Sequence, residues 1–183
     1  MEKAIEAYGR HKNLKIAAAE VGIPWQKLYL ILRKAGIPMV GDKLRYGSDR
    51  DKLAALAECE FHRLVPDAVS MNKIRWQAKY DFTVHGFRVD VKSSMPRRLN
   101  KKYSAESWAF SFKKQSLECD FICCFCVSHD RTINHVLLVP SEFFAGIQTV
   151  SVSCNGGSKW LDYTIAANDL SEFFAELKER AAA

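Results

Sequence analysis

The chain has 183 residues, 48% of them hydrophobic, and a net charge of +6 at pH 7 with a pI near 9.0. That length suits one domain, or one domain with a small appendage, and the apolar fraction suffices for a core. No apolar run approaches the roughly 20 residues of a membrane span and MEKAIEAYGR lacks a signal-peptide core, so the expectation is a soluble, cytoplasmic protein with no membrane partner.

The positive charge is concentrated at the start. Residues 1–48 carry nine Lys and Arg against four Asp and Glu, whereas residues 49–183 carry eighteen against seventeen. A polyanion is therefore expected to meet the first quarter of the chain. Its pattern predicts three helices, at residues 2–10, 14–20 and 25–35, with VGIP as the turn between the last two. Ala17, Val21, Ile23, Leu28, Ile31 and Leu32 can close a small core among them. The segments AAAEVGI and LYLILRKAGI resemble the helix-turn-helix of bacterial and phage DNA-binding proteins over residues 1–37. The resemblance implies that Trp25, Gln26, Lys27, Tyr29 and Arg33 contact DNA bases or phosphates. A merely structural or protein-binding trihelical module is the alternative.

Gly36, Pro38, Gly41 and Gly47 mark a linker, which divides the chain into a module at 1–47 and a second domain at 48–183. Ser48 with Asp51 fits a capping box opening a helix at 49–64, whose buried stripe is Leu53, Ala57, Phe61, Leu64 and Val65. Glu58 and Glu60 both lie beside that stripe, and periodicity does not choose between them. Further on, Tyr80–Val84 and Phe87–Lys92 read as two strands joined by His85-Gly86, a two-residue hairpin turn. That register sets Asp81 opposite Asp90, on the same face as Lys92, with Val89 and Val91 on the other. Opposed carboxylates, with Cβ atoms roughly 4.5–5.5 Å apart, repel, so a divalent cation with oxygen ligands is expected between them, or else a solvated strand face with an incidental salt bridge.

A helix glutamate, a strand aspartate and Asp-x-Lys on the next strand together resemble the PD-(D/E)XK nuclease superfamily, with Tyr80-Asp81 as the PD element and Asp90-Val91-Lys92 as (D/E)XK. AECEFHRLV at 57–65 is similar to the first-helix motif of archaeal Holliday junction resolvases, which assigns the helix carboxylate to Glu58. The order of later segments, a third strand near 108–112, an apolar strand at 121–127, HVLLVPSEFF and SKWLDY, is similar to nuclease domains like those of group I intron homing endonucleases. The missing proline, and Asp90 where glutamate is commoner, are departures from the pattern.

The resemblance implies an α/β fold: a restriction-endonuclease-like mixed sheet flanked by helices, preceded by the helix-turn-helix module. It implies a DNA endonuclease dependent on Mg²⁺, or Mn²⁺ in its place, held by Asp81, Asp90, the Val91 carbonyl and Glu58, with Lys92 acting on the attacking water or the transition state. Arg97, Arg98, Lys101 and Lys102 follow the motif closely enough to grip duplex or branched DNA. Cutting both strands takes two active sites, which a homodimer would supply. The competing reading is a DNA-binding regulator whose nuclease-like domain is idle; a third is cleavage of RNA. Cys119, Cys123, Cys124 and Cys126 crowd one apolar strand and read as reduced core thiols. Trp76, Trp108 and Trp160 read as core, His85 as a turn residue, and DLSEFFAELKERAAA as an amphipathic helix covering the sheet.

Overall fold

A computed structural model describes residues 1–37, 39, 44, 47–71, 78–98, 105–112 and 118–182. Three short helices come first: α1 (Glu2–His11), α2 (Leu14–Glu20) and α3 (Trp25–Lys34). Asn13 starts α2 by accepting the Lys15 and Ile16 N–H groups on its side-chain oxygen at 3.0 and 3.1 Å, which satisfies two donors that helix geometry leaves open. Gly22, at φ +66°, turns the chain toward α3 in a conformation that costs a side chain dearly. The three helices close over their own core of Ala4, Ala7, Tyr8, Ala17, Ala18, Leu28 and Leu32, with Val21, Ile23 and Ile31 packed at its border. Tyr8 is the largest residue in that core.

The helix α4 (Asp49–Leu64) opens with the expected capping box, Ser48 Oγ accepting the Asp51 N–H and the Asp51 carboxylate accepting the Ser48 N–H. After it come β1 (Val69–Ser70), β2 (Phe82–Val84), β3 (Phe87–Ser94), β4 (Ser107–Ser111), β5 (Phe121–Val127), β6 (Ile133–Pro140), β7 (Thr149–Ser153) and β8 (Thr164–Ile165). The chain ends in α5 (Leu170–Ala182). Six strands form one sheet in the order β1-β2-β3-β5-β6-β8, and β4 pairs with β7 in a separate two-stranded sheet. All neighbours are antiparallel except β3 and β5, so the sheet is mixed and mostly antiparallel.

The strand expected near 108–112 thus exists, as β4, but it forms a second layer rather than joining the main sheet. Alternation along β3 and β5 divides the main sheet into two faces. Val89, Val91, Cys123 and Phe125 face Phe61 of α4 and Leu170 and Phe174 of α5. The rings of Phe61 and Phe82 lie 5.0 Å apart, and Phe174 meets Phe61 edge-on at 6.4 Å, so α4 and α5 share one aromatic anchor on the sheet. The other face carries Ile122, Cys124, Cys126, Leu137 and Val139 against Trp108 and Phe110 of β4 and Val150 and Val152 of β7. Among the bonds that fasten β4 to the main sheet, Trp108 Nε1 donates to the Val127 carbonyl at 3.0 Å, and the Ala109 N–H donates to Ser94 Oγ at 2.9 Å. Trp108 and Trp160 are core residues, and all six cysteines are free thiols, four of them buried. Trp76 lies outside the described residues.

Candidate active site

The hairpin that carries the acidic residues closes as its sequence requires. His85 and Gly86 both take positive φ, 49° and 95°, the combination a tight turn needs between right-twisted strands. The pairs are Val84 with Phe87, Thr83 with Arg88 and Phe82 with Val89, and beyond them the Asp81 N–H donates to the Val89 carbonyl at 3.0 Å. One step further, the Val91 N–H donates to Asp81 Oδ2 at 2.8 Å, a position where a continuing ladder would have offered it a backbone carbonyl. Asp81 therefore does not simply oppose Asp90. Its carboxylate caps the Asp90-Val91 backbone, which aims one side chain at the other strand and fixes it there.

Asp90 and Lys92 sit beside Ile122 and Cys124 of β5, on the sheet face that meets β4, and Val91 turns to the helices. Asp90 is 5% exposed, while Lys92 and Asp81 are half-buried. The Lys92 ammonium lies 2.5 Å from Asp90 Oδ2 but not in hydrogen-bond alignment, so the contact is a close ion pair. Burial pushes the Asp90 carboxyl up to about 7; Lys92 pulls against that rise and the neighbouring Asp81 charge adds to it. Burial alone would lower the affinity of Lys92 for its proton, but the Asp90 and Asp81 charges outweigh it and the net shift is upward. Two carboxylates and one ammonium thus share a poorly solvated corner with an excess of negative charge.

That corner is the wall of an open cleft of about 960 Å³. Glu58, Asp81, Asp90, Val91, Lys92 and Arg97 all line it, so residues from α4, the hairpin and the segment after β3 come together. The structure also separates the two helix glutamates. Glu58 faces this cleft, whereas Glu60 binds Arg63 through two bonds of 2.8 and 2.7 Å and borders a different groove, beside Arg131 and Ile133. Among the described residues no set of three or more His, Cys, Asp or Glu is placed to hold one ion. Asp81 and Asp90 are the hard oxygen donors of the site. Two carboxylates suit Mg²⁺, which dehydrates reluctantly and is commonly held by one or two of them with water and phosphate oxygens completing the shell.

Arg98 is exposed but does not line the cleft, and Lys101 and Lys102 lie outside the described residues. Two cleft cations escape a reading of sequence pattern, Arg50 in the first turn of α4 and Lys79 just before the hairpin. Arg50, Ala54 and Glu58 recur at every fourth residue along one helix face, a spacing that could have flagged Arg50. In the N-terminal module Trp25, Gln26, Lys27 and Arg33 are exposed and Tyr29 is half-buried, while Leu28 and Leu32 point inward. Leu30, 62% exposed, joins that outward face.

No family model matches the chain, and no curated protein compared with it matches.

Proposed function

We propose that the protein is a metal-dependent DNA endonuclease with a restriction-endonuclease-like catalytic domain, brought to its substrate by the exposed basic face of α3. The observation that carries this reading is the convergence of Glu58, Asp81, Asp90 and Lys92 on one cleft, with Asp90 and Lys92 in direct contact. A bound Mg²⁺ would supply Lewis-acid stabilisation of charge on the phosphoryl oxygens. Asp81 and Asp90 would hold that ion, and its charge would offset the burial and the Asp81 repulsion that raise the Asp90 proton affinity. Lys92 offers its ammonium to the scissile phosphate or hands a proton to the departing oxygen. Glu58, across the cleft on α4, receives a proton from the attacking water or orients it. The exposed Trp25, Gln26, Lys27 and Arg33 place α3 against the duplex.

The reading is tested by incubating the protein with plasmid, branched and single-stranded DNA and with RNA in Mg²⁺ or Mn²⁺. Metal-dependent cutting of DNA that is lost in Asp81→Ala and reduced in Glu58→Ala supports it. Tight, salt-sensitive DNA binding without cutting on any substrate would favour a regulator with an idle catalytic domain.

A further inference from the structure

Among the described residues, four carboxylates line the cleft, Asp49, Glu58, Asp81 and Asp90, together with four cations, Arg50, Lys79, Lys92 and Arg97. Two of the cations are already engaged: Lys92 pairs with Asp90, and Lys79 with Glu118. Arg50 and Arg97 form no ion pair with any described residue, although carboxylates line the same cleft. Both are exposed, and both stand on fixed backbone. Arg50 belongs to the capped first turn of α4. Arg97 is pinned to Ser107 by two backbone bonds of 3.0 Å, its N–H donating to the Ser107 carbonyl and its carbonyl accepting from the Ser107 N–H. A guanidinium on rigid backbone, facing a cleft and lacking a carboxylate partner, is ready to bind an anion, and its planar fork suits phosphate.

We propose that Arg50 and Arg97 together grip the phosphates flanking the scissile one. The proposal rests on the endonuclease reading and adds to it the residues that seat the strand. Arg50 lies eight residues before Glu58 on the same helix, roughly 12 Å along its axis at 1.5 Å per residue, so it reaches a phosphate away from the reacting one. Arg97 comes from a different segment, after β3, where it is bridged to Ser107 of β4. Neither touches the reacting atoms. Their loss weakens substrate binding and leaves the chemical step intact.

The test is the salt dependence of DNA binding by the full chain, measured by anisotropy on a labelled duplex in chelator, where no cutting occurs. Each phosphate contact contributes about 0.9 to the slope of log affinity against log salt, so Arg50→Ala with Arg97→Ala should make the slope shallower by about 2. The melting temperature should not change, because both side chains are exposed, and Arg50→Lys with Arg97→Lys should restore most of the slope. In Mg²⁺ the alanine double variant should raise KM and keep kcat. An unchanged slope in the double variant, with Lys27→Ala plus Arg33→Ala shifting it instead, would overturn the grip and confine phosphate contact to the N-terminal module. A wild type that never cuts, but whose slope becomes shallower in the double variant as stated, would refute the endonuclease and keep the grip. A wild type that cuts, with slope and KM unaltered in the double variant, would do the reverse.

Discussion

Replacing Asp90 by asparagine should make the metal-free protein more stable at alkaline pH while destroying its affinity for metal. The carboxyl is pushed from an ordinary 3.8 to about 7, first by burial and then by Asp81, against the opposing pull of Lys92. The folded chain therefore keeps this proton up to about pH 7, whereas the unfolded chain releases it near pH 3.8. Stability that is fully present below about pH 4 is lost progressively as the pH rises through 7, because ionisation is easier after unfolding. Each pH unit between those two values is worth about 1.4 kcal/mol, so the ceiling on the loss is about 4 kcal/mol at pH 8 and about 2 kcal/mol at pH 5.5. Asparagine keeps the shape and cannot ionise, so it removes the penalty. Urea unfolding in chelator at both pH values gives the comparison, and the titration of groups that do not interact with Asp90 cancels between the two proteins. The advantage of Asp90→Asn should grow by up to about 2 kcal/mol between pH 5.5 and 8. Added Mg²⁺ should then stabilise the wild type and not the variant. A pH-independent difference, or a variant that loses ground at pH 8, would refute the idea that this carboxylate is destabilised by its surroundings.

Other outcomes follow from the same geometry. Lys92→Ala leaves a buried carboxylate without its cation, so metal-free stability at pH 8 should fall by about 3 kcal/mol, read from urea midpoints, and DNA cutting should disappear. Phe61→Ala removes the ring that joins α4, Phe82 and α5, and should cost roughly 3–5 kcal/mol in the same unfolding assay, with far-UV circular dichroism retained in the fraction that folds. Ser48→Ala breaks the capping box of α4 and should cost about 1 kcal/mol of stability. Lys27→Ala with Arg33→Ala should weaken DNA binding most at low salt and leave the melting temperature unchanged, since both side chains are exposed.

The parts that were legible in the sequence were those written in local patterns. His85-Gly86 announced a tight turn, Ser48 and Asp51 announced the start of α4, and the 3.6-residue stripe through Ala57 and Phe61 named the buried face. The face shared by Asp90 and Lys92 followed from alternation alone. What local pattern could not give was anything decided by distant pairing. β4 left the main sheet because its partner, β7, lies about 40 residues later, and no periodicity within SWAFS records that choice. Beyond Phe82 and Val89 the simple register gives way, the Asp81 N–H donating to the Val89 carbonyl and its carboxylate taking the Val91 N–H, a competition between side chain and backbone that a register count ignores. Glu58 and Glu60 looked alike on a helical wheel, and where the motif resemblance alone had favoured Glu58, the cleft on one side and Arg63 on the other now separate them. Arg50 and Lys79 were passed over because an exposed cation on a helix or before a strand looks like ordinary solvated surface until a concave wall gathers it beside carboxylates.

Whether the Asp81, Asp90 and Lys92 corner hydrolyses DNA with a divalent ion is met most directly by one cleavage assay. Wild type, Asp90→Ala and Lys92→Ala would be compared on end-labelled plasmid and branched DNA with Mg²⁺, Mn²⁺ or chelator, with Mg²⁺ affinity measured by calorimetry on the same samples. Cutting should occur only with metal and be lost in both variants, with Mg²⁺ binding abolished in Asp90→Ala and retained in Lys92→Ala. Cutting that persists in chelator or in both variants, or a wild type that binds Mg²⁺ and DNA and leaves every substrate whole, would contradict hydrolysis at this corner.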